Sequence, residues 1–257
     1  AIGLGVGTFV YLSAKENEGF SEDYDNLARV VIESFNSSSY LRLLISDSIA
    51  SGYTSQVSTW PNATMLDFSH RTESLLPIAK ASMVMFAPLV TNEQRPSWEA
   101  YARESNADAV RDGQANVFVS EVQMLDHVKE PSPEPWGVAD GISERAPNGT
   151  FVPVSTEGPY FPIWQISTFS QGQRMLDLMT VDGKNNVAKT MYATERPVIS
   201  KVLFFYRPPD AVGEDNREPY GGLVYPVFDS FHSPNRSLVG SITMTFNWVS
   251  FFENVLP

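Results

Sequence analysis

P-L-V-T-N-E-Q-R-P-S-W-E-A-Y, residues Pro88 to Tyr101, joins the end of an apolar run to the opening of a helix. The run, Ser82–Val90, has strand length and is closed by the polar residues Thr91, Asn92 and Glu93. Pro96 falls where a first helical turn tolerates proline, because the N–H it lacks would be unpaired there anyway. The helix is predicted to run to about Asp112. Arg95 and Glu99 are four apart and share a face of it, where an exposed ion pair stabilises by only a few tenths of a kcal/mol. Trp98 points elsewhere and is read as the anchor of this helix on a sheet.

Upstream, Lys15 to about Val57 carries one long helical pattern. Apolar or small residues recur at Phe20, Tyr24, Leu27, Val31, Phe35, Ser38, Leu41, Ile45, Ser48 and Gly52, in steps of three or four. Such a helix is about 60 Å long at about 1.5 Å per residue, more than one small core requires, and it suits a stalk. Two shorter helices broken near Asn36-Ser37-Ser38-Ser39 are the alternative. Trp60-Pro61 ends the pattern, since proline holds the preceding residue extended. Ala1–Leu12 is uncharged and glycine-rich; it is too short to span a bilayer and lacks the features of a signal peptide. It is read as the outer end of a transmembrane helix, with a buried strand as the alternative.

Downstream, Asp67 or Ser69 is expected to cap a short helix through about Lys80, with Pro77 as a breaker. Five prolines between Glu121 and Gly158 mark a long loop, with a short strand at Phe151–Val154. Tyr160–Thr168 alternates as a strand, Asp182–Thr194 is helical, Val198–Tyr206 is strand-like and Arg207–Tyr220 is a loop. Leu223–Asp229 and Leu238–Trp248 are two strands joined by a turn at Ser233-Pro234-Asn235, and Val249–Val255 forms a short exit helix. A long helix, mixed elements and then hairpin-linked strands, without strand–helix–strand alternation, argue for an α+β fold on antiparallel sheets.

The formal charge of −12 and an isoelectric point near 4.7 exclude a nucleic-acid partner that needs a basic face and hold the body off anionic headgroups. With no cysteine, disulfide scaffolds, thiol nucleophiles and thiolate metal sites are all excluded. His70, His127 and His232 lie in separate segments without metal-ligand spacing, so no metal or cofactor is expected. Gly3-x-Gly5-x-Gly7 has neither the spacing nor the preceding strand of a dinucleotide site. There is no nucleophile elbow or phosphate loop, and enzymatic activity is not expected of this chain. Carboxylates such as Glu99, Asp177 and Asp229 could be paired by the fold into an acid/base set. Four N-x-S/T sequons, at Asn36, Asn62, Asn148 and Asn235, exceed the roughly two expected by chance and point toward secretion.

Four segments, W-P-N-A-T-M-L-D-F (Trp60–Phe68), the Pro88–Tyr101 stretch, Y-F-P-I-W-Q (Tyr160–Gln165) and L-V-Y-P-V-F-D (Leu223–Asp229), occur in this order. Together they resemble the CHASE-type extracellular sensory domain, nearest to the ectodomains of receptor-type nucleotide cyclases of diatoms and other algae. The resemblance covers about Trp60 to Pro257, and within it Arg95, Trp98 and Glu99 look like the family's arginine–aromatic–glutamate pattern. It implies a transmembrane end at 1–12, a stalk at 13–58, a distal PAS-like lobe at 59–206 and a membrane-proximal PAS-like lobe with exit helix at 207–257. It further implies a homodimer joined through the stalk, at the extracellular side of the plasma membrane. The cytoplasmic output would be a guanylate or adenylate cyclase or, failing that, a histidine kinase.

Ligand chemistry is expected on the distal lobe. Tyr160, Trp164 and Gln165 offer an aromatic and polar pocket wall, while Phe161 and Ile163 are read as core. Asp177, fifteen positions after Pro162 and within L-D-L-M, looks like the aspartate that hydrogen-bonds ligand in plant cytokinin receptors. A solvated loop aspartate is the alternative. The surrounding residues and the proline-rich insertion depart from the plant pattern, so the ligand need not be a cytokinin. A lone pocket carboxylate destabilises an empty fold, so its removal is expected to cost the fold little. Two other classes fit: a secreted or surface glycoprotein that binds protein partners without signalling, and a hydrolase with carboxylates assembled by the fold.

Overall fold

Ile2–Gln56 form one α-helix of 55 residues, α1, about 80 Å long at about 1.5 Å per residue. The break considered near Asn36–Ser39 does not occur, and the apolar start and the stalk belong to one element. The computed structural model describes residues 2–115, 141–146, 151–167, 174–181, 185–206, 217–231 and 233–253. Most of the loop expected at Glu121–Gly158 and part of the one at Arg207–Tyr220 lie outside them. Among the described residues, no helix is long and apolar enough to cross a membrane.

After α1 come two short helices, α2 (Phe68–Glu73) and α3 (Leu76–Ala79), then strand β1 (Met83–Pro88) and helix α4 (Arg95–Ala115). Pro77 sits in the first turn of α3 and so opens a second helix after α2. Asp67 precedes α2 in a left-handed conformation without a side-chain cap bond. A two-stranded sheet pairs β2 (Ser143–Arg145) with β3 (Phe151–Pro153). The remaining elements are β4 (Gln165–Ile166), α5 (Asn185–Thr194), β5 (Val198–Ile199), β6 (Leu203–Tyr206), β7 (Arg217–Phe228), β8 (Leu238–Asn247) and α6 (Trp248–Glu253). The strand expected over Tyr160–Thr168 shrinks to β4 because Tyr160 and Pro162 make only isolated bridges, to Val90 and Asp177. Conversely, β7 begins at Arg217, inside the expected loop, because β6 pairs with its first four residues.

The main sheet is antiparallel and runs β4-β1-β8-β7-β5, with β6 on β7 beside β5. The alternation in Leu238–Asn247 therefore marks the central strand, paired to β1 on one side and β7 on the other. This sheet crosses residue 206, so the stretches 59–206 and 207–257, expected as separate lobes, build one layer together. Val84, Phe86, Leu223, Ile242 and Met244 face α1, where they join Ile45, Ile49 and Tyr53 in one core. Met85, Ala87 and Val224 face the opposite way, under Val187, Ala188 and Met191 of α5.

Among the described side chains of α1, the buried ones lie in its second half. Its buried positions are Arg42, Ile45, Ser46, Ile49, Ala50 and Tyr53, whereas Leu41 and Ser48 of the expected stripe are exposed and Gly52 is half-buried. The strict three–four pattern drifts around a straight helix by about 20° per heptad, which puts the seated face one residue later. Phe35 stacks on Trp248 and meets Phe251 edge-on, so α6 is fixed to α1. Gly221 lies where a side chain would enter the Phe246 ring, leaving that ring free to lie flat beneath Arg42.

One buried amide locks this arrangement. Gln165 accepts bonds from the Tyr53 hydroxyl at 2.5 Å and the Met65 amide at 2.8 Å, and donates to the Met65 carbonyl at 2.9 Å. Gln165→Leu keeps the volume and removes all three, so chemical denaturation is expected to show a loss of about 2–4 kcal/mol. A loss below about 0.5 kcal/mol, the range of ordinary surface changes, would contradict this role.

Candidate functional site

Three stretches cross on the α5 side of the sheet. Ile163 and Leu178 donate to Leu176 and Phe161, Ser143 donates to Met175, and Asp177 donates to Ser143. Alternation along them sends Phe161, Ile163, Leu176 and Leu178 into the α5-side core and Tyr160, Trp164 and Met175 into the other. Asp177 falls between, with 1% of its surface exposed, at the floor of a concavity of about 510 Å³.

The Asp177 carboxylate is held by the backbone. One oxygen accepts the Phe161 amide at 2.7 Å and the Met179 amide at 3.1 Å. Burial pushes its pKa up; the two amides and Lys189 oppose this, and Glu144 adds to it. Glu144, Glu157, Lys189, Tyr192 and Thr180 stand around the same concavity, and Tyr192 meets Phe161 edge-on at 6.0 Å. Among the described residues, three carboxyl groups against one ammonium make a wall that attracts N–H donors and positive charge. The described residues contain no cluster of three metal-ligating side chains.

Tyr160, Trp164 and Gln165 do not share this wall. Tyr160 is buried, with its hydroxyl bound by Asn92 and Thr156 and faced by Arg95. Trp164 is fully buried, donates to Thr64 at 2.8 Å and meets Trp98 edge-on. Gln165 is spent on Tyr53 and Met65. These are core side chains joining the sheet to α1 and α4.

Arg95, Trp98 and Glu99 form an anchor. Arg95 pairs with Glu99 at 2.8 Å, and the same Glu99 oxygen accepts the Ile142 amide at 3.0 Å. Trp98 is fully buried in the α1-side core. Asn36, Asn62 and Asn235 are exposed, as is His70; Asn148, His127 and His232 lie outside the described residues. Sequence reasoning missed Glu144, Glu157, Lys189 and Tyr192. Lys189 and Tyr192, three apart on the outer face of α5, were the one available signal. Glu144 and Glu157 come from a proline-rich stretch without periodicity.

No protein-family model matches the chain, and no curated protein matches it in sequence.

The two amides on Asp177 correct the expectation that removing this carboxylate is cheap. Asp177→Ala strands two buried N–H groups and is expected to cost about 2–4 kcal/mol, whereas Asp177→Asn retains an acceptor for them. The pKa shift sets the pH dependence. With its folded pKa above the unfolded value of about 3.9, the native state holds this proton longer. Its contribution is therefore fully present at lower pH and is lost as pH rises through the raised value. Denaturation across pH 3 to 7 is expected to show Asp177→Asn gaining on wild type as pH rises; an unchanged difference would contradict the shift.

Proposed function

We propose that this chain is the extracytoplasmic ligand-sensing part of a membrane receptor, with a PAS-like sheet, and that its small-molecule ligand occupies the Asp177 concavity. The observation that carries this reading is a buried carboxylate, fixed by two backbone amides, at the floor of an open concavity. A ligand N–H or cation would add a further partner to this buried carboxylate. The excess of carboxyl groups around it suits a ligand with several N–H donors or a positive charge. Family resemblance supplies the rest: Ala1–Leu12 as the outer end of a membrane span, a second span after Pro257, and a nucleotide cyclase as output. The full reading frame is the direct check. A stop codon soon after Pro257, or no apolar residues ahead of Ala1, would remove the receptor reading.

The exposed sequons at Asn36, Asn62 and Asn235 favour a second reading, a surface glycoprotein that binds protein partners without signalling. A thermal-shift screen of small molecules separates the two. For the sensor, a compound that stabilises wild type is expected to bind Asp177→Asn ten- to a hundredfold more weakly, which corresponds to a charged hydrogen bond of about 1.5–3 kcal/mol. Tight binding of a protein partner, with no compound response, would support the glycoprotein instead.

The receptor reading includes a parallel homodimer through α1. Support comes from the helix face left open beside the sheet. Leu27, Val30, Leu41 and Leu44 are exposed and, with Ser34 and Ser37, follow a three–four spacing suited to a coiled-coil seam. A second copy fits because these exposed side chains repeat along one face and a two-fold axis sets this seam against itself. Phe35, part of the stripe read from the sequence, is occupied by α6 within the chain. Leu27→Asp with Val30→Asp is expected to turn the crosslinked full-length dimer into monomer with the body still folded; wild-type crosslinking would place the interface elsewhere.

A further inference from the structure

The walls of the Asp177 concavity are out of charge balance. Buried Asp177, half-buried Glu144 and exposed Glu157 line it together with the ammonium of Lys189. Two negative charges are thus left uncompensated among the described lining residues. Glu144 and Lys189 both act on the titration of Asp177, Glu144 raising its pKa and Lys189 lowering it. Burial and a neighbouring like charge disfavour the ionised carboxylate, and a cation placed beside it offsets both. A neutral N–H donor offsets less, because its hydrogen bond is the weaker kind.

The Asp177 carboxylate is also only half used. Oδ1 accepts the Phe161 and Met179 amides, at 2.7 and 3.1 Å, and among the described residues Oδ2 accepts no bond. One open oxygen suits an ammonium N–H, whereas a divalent metal ion of the calcium type takes several oxygen ligands. The lining also includes Pro159, Met179 and the ring of Tyr192, apolar surface on which the methylene groups of an amine can lie.

We propose that the ligand of this concavity is an organic diamine, a short aliphatic chain with an ammonium group at each end. The proposal rests on the reading that a small molecule binds at Asp177. One ammonium bonds Asp177 at the floor, and the other is held by Glu144 and Glu157. Two positive charges match the two uncompensated carboxylates; a monoamine leaves one of them and a zwitterion leaves both. The concavity, of about 510 Å³, has room for such a chain.

Thermal unfolding of the full chain at neutral pH and fixed ionic strength tests this, with 1,4-diaminobutane, 1,6-diaminohexane, 1-aminobutane, 4-aminobutanoate and magnesium chloride as separate additives. At least one diamine is expected to raise the melting temperature and then saturate, as a single-site ligand requires. 1-Aminobutane should bind about tenfold more weakly or worse, the loss of one charged hydrogen bond, and 4-aminobutanoate should have no effect. Asp177→Asn, and separately the Glu144→Gln, Glu157→Gln double variant, should each weaken the diamine about tenfold or more. Because the whole chain is acidic, a diamine response that never saturates, or that both variants leave undiminished, would mean general charge screening and overturn the proposal. Equal stabilisation by 1-aminobutane or magnesium would overturn it as well. Should Asp177→Asn fail to fold, the double variant, whose side chains are not fully buried, decides. If another compound stabilises the protein through Asp177 and no diamine does, the diamine fails and the ligand site stands; if no compound does so, both fail.

Discussion

The Gln165 side chain ties three separate parts of the chain together inside the protein. Tyr53 near the end of α1, both backbone polar groups of Met65, and β4 at the sheet edge all meet at one amide. Such groups cost about 1–3 kcal/mol each when buried without partners, so the amide makes this apolar junction tolerable. Tyr53 also stacks on Phe86 at 3.8 Å, and the bond from Tyr225 to Asp47 at 2.6 Å adds a second tie further along β7. The second half of α1 is therefore registered on the sheet by polar bonds as well as by packing.

The two faces of the sheet differ in kind. Toward α1 it is aliphatic and aromatic. Toward α5, the central strand presents Ser241, Thr243 and Thr245, all buried with hydroxyls that lack partners, and on this side the carboxyl-lined concavity opens. A face with surplus hydrogen-bonding capacity is poorer at holding a core and better suited to accommodating a polar molecule. At the far end, β8 runs directly into α6, whose Trp248 and Phe251 close on Phe35. The central strand thus ends on α1 through these rings.

Periodicity made the large elements legible. The three–four pattern located α1, the alternation over Leu238–Trp248 located the central strand, and Pro96 marked the start of α4 within one residue. Pairing was not legible. That β1 lies beside β8, more than a hundred and fifty residues later, is a non-local fact that no local pattern encodes, which is why one sheet was divided into two lobes. The site was half legible. Asp177 stood out as a carboxylate among apolar neighbours, but the same reasoning enlisted Tyr160, Trp164 and Gln165, whose polar atoms are consumed by core partners. An aromatic run on a strand looks alike whether it faces a ligand or another helix, and only the tertiary partners tell them apart.

Amide hydrogen exchange, with and without a compound that raises the melting temperature, tests the central claim most directly, because it reports which backbone segments a ligand orders. The account predicts slowed exchange at residues 156–161, 177–180 and 187–192, around the Asp177 carboxylate. Protection confined to other segments, with these three unchanged, would contradict it.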